Sequence, residues 1–268
     1  SDYNKRRKEI DQFNKNQKTK IKGLALTGCK FGISFTAKFL NQGNALVSIH
    51  RDGSIQVSTG ATEMGQGVNT KIQKVVAEFF GLSPEQVQVM TTSTEKNANT
   101  SPTAASSGAD INTAAALEAC KKIKFRLKQV GIFCLNQQKL NGSEEIEIDL
   151  LNDPVKLKIE FKNNQVLFAD KSMTWLELIQ KTYMNRISIS DYGHTKTKGL
   201  SFDHLTAKGN AFKYFTTGVA VSEVLIDRYT GELKILRSDL LMDLGQPIHK
   251  EIDLGQVSGG FIQGVGWV

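Results

Sequence analysis

Gly60-Ala61-Thr62-Glu63-Met64-Gly65-Gln66-Gly67 is the stretch on which the reading of this chain turns. The alternating run Ser54–Thr59 before it reads as a strand, and Val68–Phe80 after it reads as a helix. Three glycines in eight residues let the backbone turn sharply at the junction and approach a ligand closely. A helix starting just beyond them offers unpaired N–H groups and the positive end of a dipole, which suits anionic groups. The same pattern also serves as a tight turn with no ligand.

Outward from this junction, the pattern is irregular. Asp2–Phe13 reads as a short helix with Tyr3, Ile10 and Phe13 near one face. Ile21–Cys29, Ser34–Phe39 and Ala45–His50 read as strands, with Arg51-Asp52-Gly53-Ser54 as a hairpin turn. Gly81 is placed to end the first long helix, and Ser83-Pro84-Glu85-Gln86 has the form of a capped helical turn before a strand at Gln86–Thr91. Thr103–Val130 predicts a long alanine-rich helix ending at Gly131. Glu144–Leu150, Val155–Phe161 and Val166–Ala169 read as an inserted β-meander, and Thr174 as the cap of a helix to Met184. Phe215–Ile226 and Leu233–Asp243 form a hairpin, and Gln256 opens a second glycine-spaced helix. Without regular βαβ alternation, the fold class is α+β, with mixed sheets and packed helices. The strand–glycine–helix junctions near Gln66 and Gln256 suggest two related halves. The expected divisions are a basic helix and connector (1–22), a first half (23–133), a β-rich insertion (134–175) and a second half (176–268).

Bulk properties narrow the function classes. The 268 residues are 40% hydrophobic and 23% charged, as in a globular protein with a real core. No apolar run approaches the ~18 residues of a membrane span, so no membrane partner is expected. The polar, basic N-terminus is not a secretory signal, which points to the cytoplasm. Cys29, Cys120 and Cys134 lie far apart, and the four histidines lack metal-ligand spacing. The net charge of +7 is concentrated in residues 1–22, which hold eight basic residues against three acidic ones. Without aromatic–basic interleaving, such a leader reads as a solvated helix face, and no nucleic-acid partner is expected.

Five segments in order carry a resemblance. They are Phe31-Gly32-Ile33-Ser34-Phe35-Thr36; Thr62-Glu63-Met64-Gly65-Gln66-Gly67; Asn99-Thr100-Ser101-Pro102-Thr103-Ala104-Ala105-Ser106-Ser107; Ala211–Val224; and Ile252-Asp253-Leu254-Gly255-Gln256-Val257 with Gly259-Gly260-Phe261. Together they resemble the molybdenum hydroxylases, the xanthine dehydrogenase and aldehyde oxidase family, from about Lys22 to the end. Ala61 and Thr217 depart from a glycine and a tyrosine common in that family.

The resemblance implies a molybdenum–molybdopterin cofactor, as the pterin itself or its cytosine dinucleotide, whose metal takes its sulfur from the pterin. It implies Gly65 and Gln66 against the pterin and metal, with Gln256 from the other half. It places Ala104 and Ala105 beside the metal, with Ala105 adjacent through its backbone, and Thr103, Ser106 and Ser107 as hydroxyl and amide contacts. Phe35 and Thr36 correspond to the substrate pocket. Glu63 corresponds to a buried turn brace, not the general base. That base, a glutamate after a Gly-x-Gly, is expected beyond Val268, so no catalytic residue is assigned within the chain. The implied reaction is hydroxylation of a purine or other N-heterocycle with water as oxygen source. Expected partners are the remaining molybdenum domain and the iron–sulfur and flavin (FAD) domains or subunits, and the isolated chain is expected to be inactive. An aldehyde or carbon monoxide member of the family, and a non-catalytic accessory module on the same scaffold, are the alternative readings.

Overall fold

The computed structural model describes residues 2–136 and 159–268. In chain order the first elements are α1 (Tyr3–Asn16), β1 (Lys20–Ile33), β2 (Gln42–Ile49), β3 (Ile55–Thr59), α2 (Val68–Phe80), β4 (Val87–Val89) and α3 (Gly108–Asn136). Then come β5 (Ile159–Lys162), β6 (Gln165–Phe168), β7 (Lys171–Thr174), α4 (Trp175–Met184), β8 (Ser190–Lys196), β9 (Ser201–Asp203) and β10 (Lys208–Asn210). The last are β11 (Tyr214–Asp227), β12 (Leu233–Asp243) and α5 (Lys250–Val265). Helices and mixed sheets share the chain, so the fold is α+β. The chain divides into one unit of residues 1–33 and 214–268 and a second of residues 34–213. These limits do not coincide with the divisions expected from sequence, because β1 takes its partner from the far end of the chain. It runs antiparallel to β11 from Lys20 opposite Asp227 to Ile33 opposite Tyr214.

In the unit of residues 34–213 a four-stranded sheet has the order β4-β3-β2-β8. The β2–β3 and β2–β8 pairs are antiparallel and β3–β4 is parallel. The core joins Val47, Ile55 and Val57 of the sheet to Ile72, Val76 and Phe80 of α2 and Ile123, Leu127 and Val130 of α3. Spacing of four between Val68, Ile72, Val76 and Phe80 puts one apolar stripe of α2 inward. Gly81 ends α2 at φ 66°, and the Leu82 N–H closes back on the Ala77 carbonyl at 2.9 Å. The alanines of α3 set how closely it lies on the sheet. Ala115, Ala116 and Ala119 are fully buried, and a Cβ on Gly193 of β8 would stand 2.0 Å from the Ala115 carbonyl oxygen. Thr174 caps α4, its hydroxyl accepting from the Glu177 N–H at 3.2 Å and the Glu177 carboxylate accepting from the Thr174 N–H at 2.8 Å.

Two elements differ clearly from the sequence reading. Ser34–Phe39 is not a strand: Ser34 sits at φ 126°, a single 3-10 turn follows at Lys38–Leu40, and the buried Asn41 side chain bonds both the N–H and the carbonyl of Phe35. The long helix begins at Gly108 instead of Thr103, because Ala105 (φ 54°) and Ser106 (φ 51°) are left-handed and cannot continue a right-handed turn. It also runs through Gly131 to Asn136. There the missing side chain makes room for Ile159, Val166 and Leu178, so tertiary packing overrides the local stop signal. β5 and β6 overlap the runs read at Val155–Phe161 and Val166–Ala169, and β7 adds a strand that the sequence reading lacks; Glu144–Leu150 and residues 155–158 lie outside the described residues.

The unit of residues 1–33 and 214–268 carries the antiparallel sheet β1-β11-β12. The basic leader is not simply a solvated face. Arg6 of α1 is buried, and its guanidinium holds Glu223 of β11 at 2.9 Å and Asp239 of β12 at 2.8 Å, while Lys22 reaches Glu223 at 3.1 Å. Gln256 lies within α5, which begins at Lys250, and does not mark a strand–helix junction.

Candidate functional site

Three loops of the 34–213 unit meet through specific hydrogen bonds. The Thr62 N–H donates to the Thr103 hydroxyl at 2.9 Å, which joins the 60–67 loop to the 99–107 segment. The Ser34 N–H donates to the Ala105 carbonyl at 3.4 Å, which brings the Phe35–Thr36 loop to the same segment. Gly60 is where two of these loops cross: a Cβ there would lie 1.7 Å from the Thr100 hydroxyl oxygen. The Thr92 hydroxyl bonds the Thr59 and Ala61 carbonyls and closes the back of the turn. Gly65, Gln66, Thr103, Ala104, Ala105, Ser106, Ser107, Phe35 and Thr36 therefore stand on loops that touch one another. Gln256 belongs to the other unit and is exposed on α5.

The 60–67 loop is braced from within. Glu63 accepts from the N–H groups of Gly65 at 2.8 Å, Gly67 at 2.9 Å and Asn69 at 3.0 Å. It is exposed, not buried, but it does brace the turn. Partial burial opposes its charge, and the N–H donors of Asn69, Gly67 and Gly65 outweigh that and hold the carboxyl below its usual range. The positive end of α2 is thus already neutralised by a side chain of the same loop, which corrects the expectation of a free anion-binding helix start. The Gln66 side chain also folds back, accepting from the Met64 N–H at 2.6 Å and donating to the Thr62 carbonyl at 2.9 Å. Gly65, at φ 101°, is exposed, and a Cβ there would meet nothing within 4 Å.

The 103–107 segment is the more open partner. Ala105 and Ser106 are consecutive left-handed non-glycine residues, a conformation that costs about 1–3 kcal/mol each and gathers at binding sites. Ala104 and Ser106 are exposed. Ser107 is buried, with its hydroxyl donating to the Ala104 carbonyl at 3.1 Å, just before α3 begins. Apart from the Glu63 carboxylate, which is taken by N–H groups of its own loop and helix, what the loops present is neutral: amide, hydroxyl and bare backbone beside small side chains. Among the described residues no group of three His, Cys, Asp or Glu side chains is placed to hold a metal ion. This set fits a flat polar heterocycle and oxo groups better than a naked cation. A separate groove of ≈ 380 Å³, lined by Asn69, Gln73 and Val87 among others, lies along α2 and β4 and includes none of the expected site residues.

The sequence reading missed the supports. Asn41, Asn44 and Thr92 hold these loops from behind. The available signal was the polar run Asn41-Gln42-Gly43-Asn44 at the start of an apolar strand, where asparagine is disfavoured.

The chain matches the molybdopterin cofactor-binding domain family over residues 1–268. It is 39% identical to xanthine dehydrogenase 1 of Arabidopsis thaliana over 264 residues, which is 98% of this chain and 17% of that protein. It is 39% identical to the xanthine dehydrogenase/oxidase of Mus musculus over 266 residues, 99% of this chain and again 17% of that one. Among solved structures it superposes on quinoline 2-oxidoreductase from Pseudomonas putida 86 with a TM-score of 0.72 at 19% identity, covering 96% of this chain and 31% of that one. The aldehyde oxidoreductase of Desulfovibrio desulfuricans gives a TM-score of 0.70 at 18% identity, covering 98% and 24%. The chain spans about a sixth of the curated relatives it matches. Full-length family coverage, the relatives' identity and the shared fold together make this chain a member of the molybdopterin cofactor-binding domain family.

Proposed function

We propose that this chain forms part of the cofactor cradle of a xanthine dehydrogenase-like molybdenum hydroxylase acting on a purine or other N-heterocycle. The observation that carries it is the convergence of three loops through the Thr62–Thr103 and Ser34–Ala105 bonds. In this reading Gly65 and Gln66 lie against the pterin, and the bare backbone at Gly65 permits close approach. Thr103, Ser106 and Ser107 supply hydroxyl and amide contacts. Ala104 and Ala105 leave room beside the metal, with Ala105 adjacent through its backbone. Gln256, in the unit of residues 1–33 and 214–268, is the further cofactor contact of this reading. Phe35 and Thr36 face the substrate, where an aromatic ring orients a flat heterocycle. The molybdenum cofactor supplies a two-electron oxidation of an electron-poor carbon, and these residues bind and orient. The catalytic glutamate, the rest of the cradle, and the iron–sulfur and FAD groups come from elsewhere in the parent protein. A cytoplasmic location and the form of the pterin, including a cytosine dinucleotide, belong to the same proposal.

The test is the metal and pterin content of the full-length protein, expressed with its partners and supplied with molybdate. Stoichiometric molybdenum, lowered several-fold by Gln66→Ala in a protein that keeps its circular dichroism, is the expected result. A folded full-length protein with neither molybdenum nor pterin overturns the reading. Oxidation of purines in preference to aldehydes by the loaded protein is the expected substrate profile.

A further inference from the structure

The 97–107 loop is held at its base by a side chain that faces no ligand. Asn44 of β2 is 1% exposed. Its carboxamide is assigned the orientation that satisfies its neighbours, in which the oxygen accepts from the Asn99 N–H at 2.9 Å and the Ala98 N–H at 3.2 Å. The Tyr192 hydroxyl of β8 stands 2.7 Å from the same oxygen and 2.5 Å from the Lys96 carbonyl. Two further contacts close the base. The Ser101 hydroxyl donates to the Gln42 carbonyl at 3.2 Å, and Thr100 packs over Gly60, where no side chain fits. Beyond the base, the part that carries Thr103–Ser107 is attached to the neighbouring loops by only the Thr62 and Ser34 bonds among those described.

From this arrangement we infer that Asn44, assisted by Tyr192, is the positioning residue for the 97–107 loop and, through it, for the cofactor segment Thr103–Ser107. The inference rests on the cradle reading above. A buried acceptor shared by two consecutive N–H groups fixes both position and direction of the chain as it leaves Asn97. Its loss takes away the acceptor that both N–H groups share, and because Ala98 and Asn99 are themselves exposed, the two donors are left to surface water, which does not fix the loop's position. The strained pair Ala105–Ser106 is then no longer over-determined by its surroundings.

The experiment uses full-length protein carrying Asn44→Leu, Asn44→Asp or Tyr192→Phe, read by amide hydrogen exchange, thermal midpoint and molybdenum content. Asn44→Leu should speed exchange at Ala98 and Asn99 by about tenfold or more. Protection in β3 should be unchanged and molybdenum should fall several-fold. Asn44→Asp keeps the accepting oxygen but sets a second oxygen where the amide faces acceptors, so it should restore loop protection and metal content in part, which a purely structural loss of stability would not do. Tyr192→Phe removes one hydroxyl from a partly exposed ring, so it should fold and loosen the loop to a smaller degree. Unchanged loop exchange in folded Asn44→Leu or, if that variant does not fold, in Tyr192→Phe overturns the clamp. A loosened loop with unchanged molybdenum overturns the link from the clamp to the cofactor. Failure of the cradle reading is seen separately, as absence of molybdenum from the unsubstituted protein, and the exchange measurement still tests the clamp in that case.

Discussion

At the scale of single residues, Glu63 shows how a motif can mislead about chemistry and still matter. It lies in the segment that most resembles a cofactor loop, where a carboxylate invites the role of base. Its oxygens are instead taken by the N–H groups of Gly65, Gly67 and Asn69, so it serves as an internal anion for α2. Because its folded pKa is lowered, its contribution is present above the unfolded carboxyl value and is lost as pH falls through the folded one. Glu63→Gln should therefore destabilise by about 1 kcal/mol at neutral pH, in the range of a helix cap. In thermal unfolding across pH 2–7, the gap from the unsubstituted protein should shrink on the acid side of about 4.5, the ordinary value for this carboxyl. A gap that persists undiminished at the acid end would mean that the charge is not what matters.

Among elements, glycine and alanine act in pairs that only packing reveals. Alanine at 115, 116 and 119 reads from sequence as helix preference and small size. The structure adds the partner, Gly193 of β8, whose backbone lies against the α3 backbone at Ala115 and Ala119. Gly193→Ala should cost about 1–3 kcal/mol, since the obstacle is a helix backbone that cannot turn aside. Urea unfolding should show a lowered midpoint with an unchanged slope; an unaltered midpoint would show that α3 can move away freely. Gly131 is the opposite case. Local chemistry names it a helix end, yet α3 continues with Ile159 pressed into the space a Cβ would take and Val166 and Leu178 packed around it. Local stop signals are worth roughly 1 kcal/mol, and several buried apolar contacts exceed that.

For the molecule as a whole, the division of the chain depends on pairing between its ends. β1 and β11 are about two hundred residues apart in sequence and form one ladder, and α1 is fastened to that sheet by the buried Arg6 between Glu223 and Asp239. Arg6→Ala should leave Glu223 with Lys22 and Asp239 with Arg237, but it removes the tie between these carboxylates and α1 and should release that helix. Limited trypsin digestion should then cut faster at Lys15 and Lys18, with little change within residues 34–213. Equal digestion rates would show that Ile10 and the bonds of Asn14 to the Lys22 backbone hold the helix without Arg6.

The sequence by itself determined the α+β class, the bounds of α2, the β11–β12 hairpin and the segments that carry the family resemblance. These rest on local physics: periodicity, capping and turn chemistry act over a few residues and leave a readable pattern. It also marked the 60–67 loop, because a glycine-rich run between a strand and a helix stands out, whereas Ser34–Phe39 reads as a strand and Thr103–Ser107 as the start of a helix. Only the tertiary structure decided that Phe35–Thr36 sits on a non-regular loop held by Asn41, that Ala105 and Ser106 turn left-handed before α3, and that Glu63 faces its own helix. It alone brought Asn44 beneath Ala98 and Asn99. Those outcomes depend on hydrogen bonds and close contacts between residues distant in the chain, and a buried asparagine carries no local sign of which backbone it will hold.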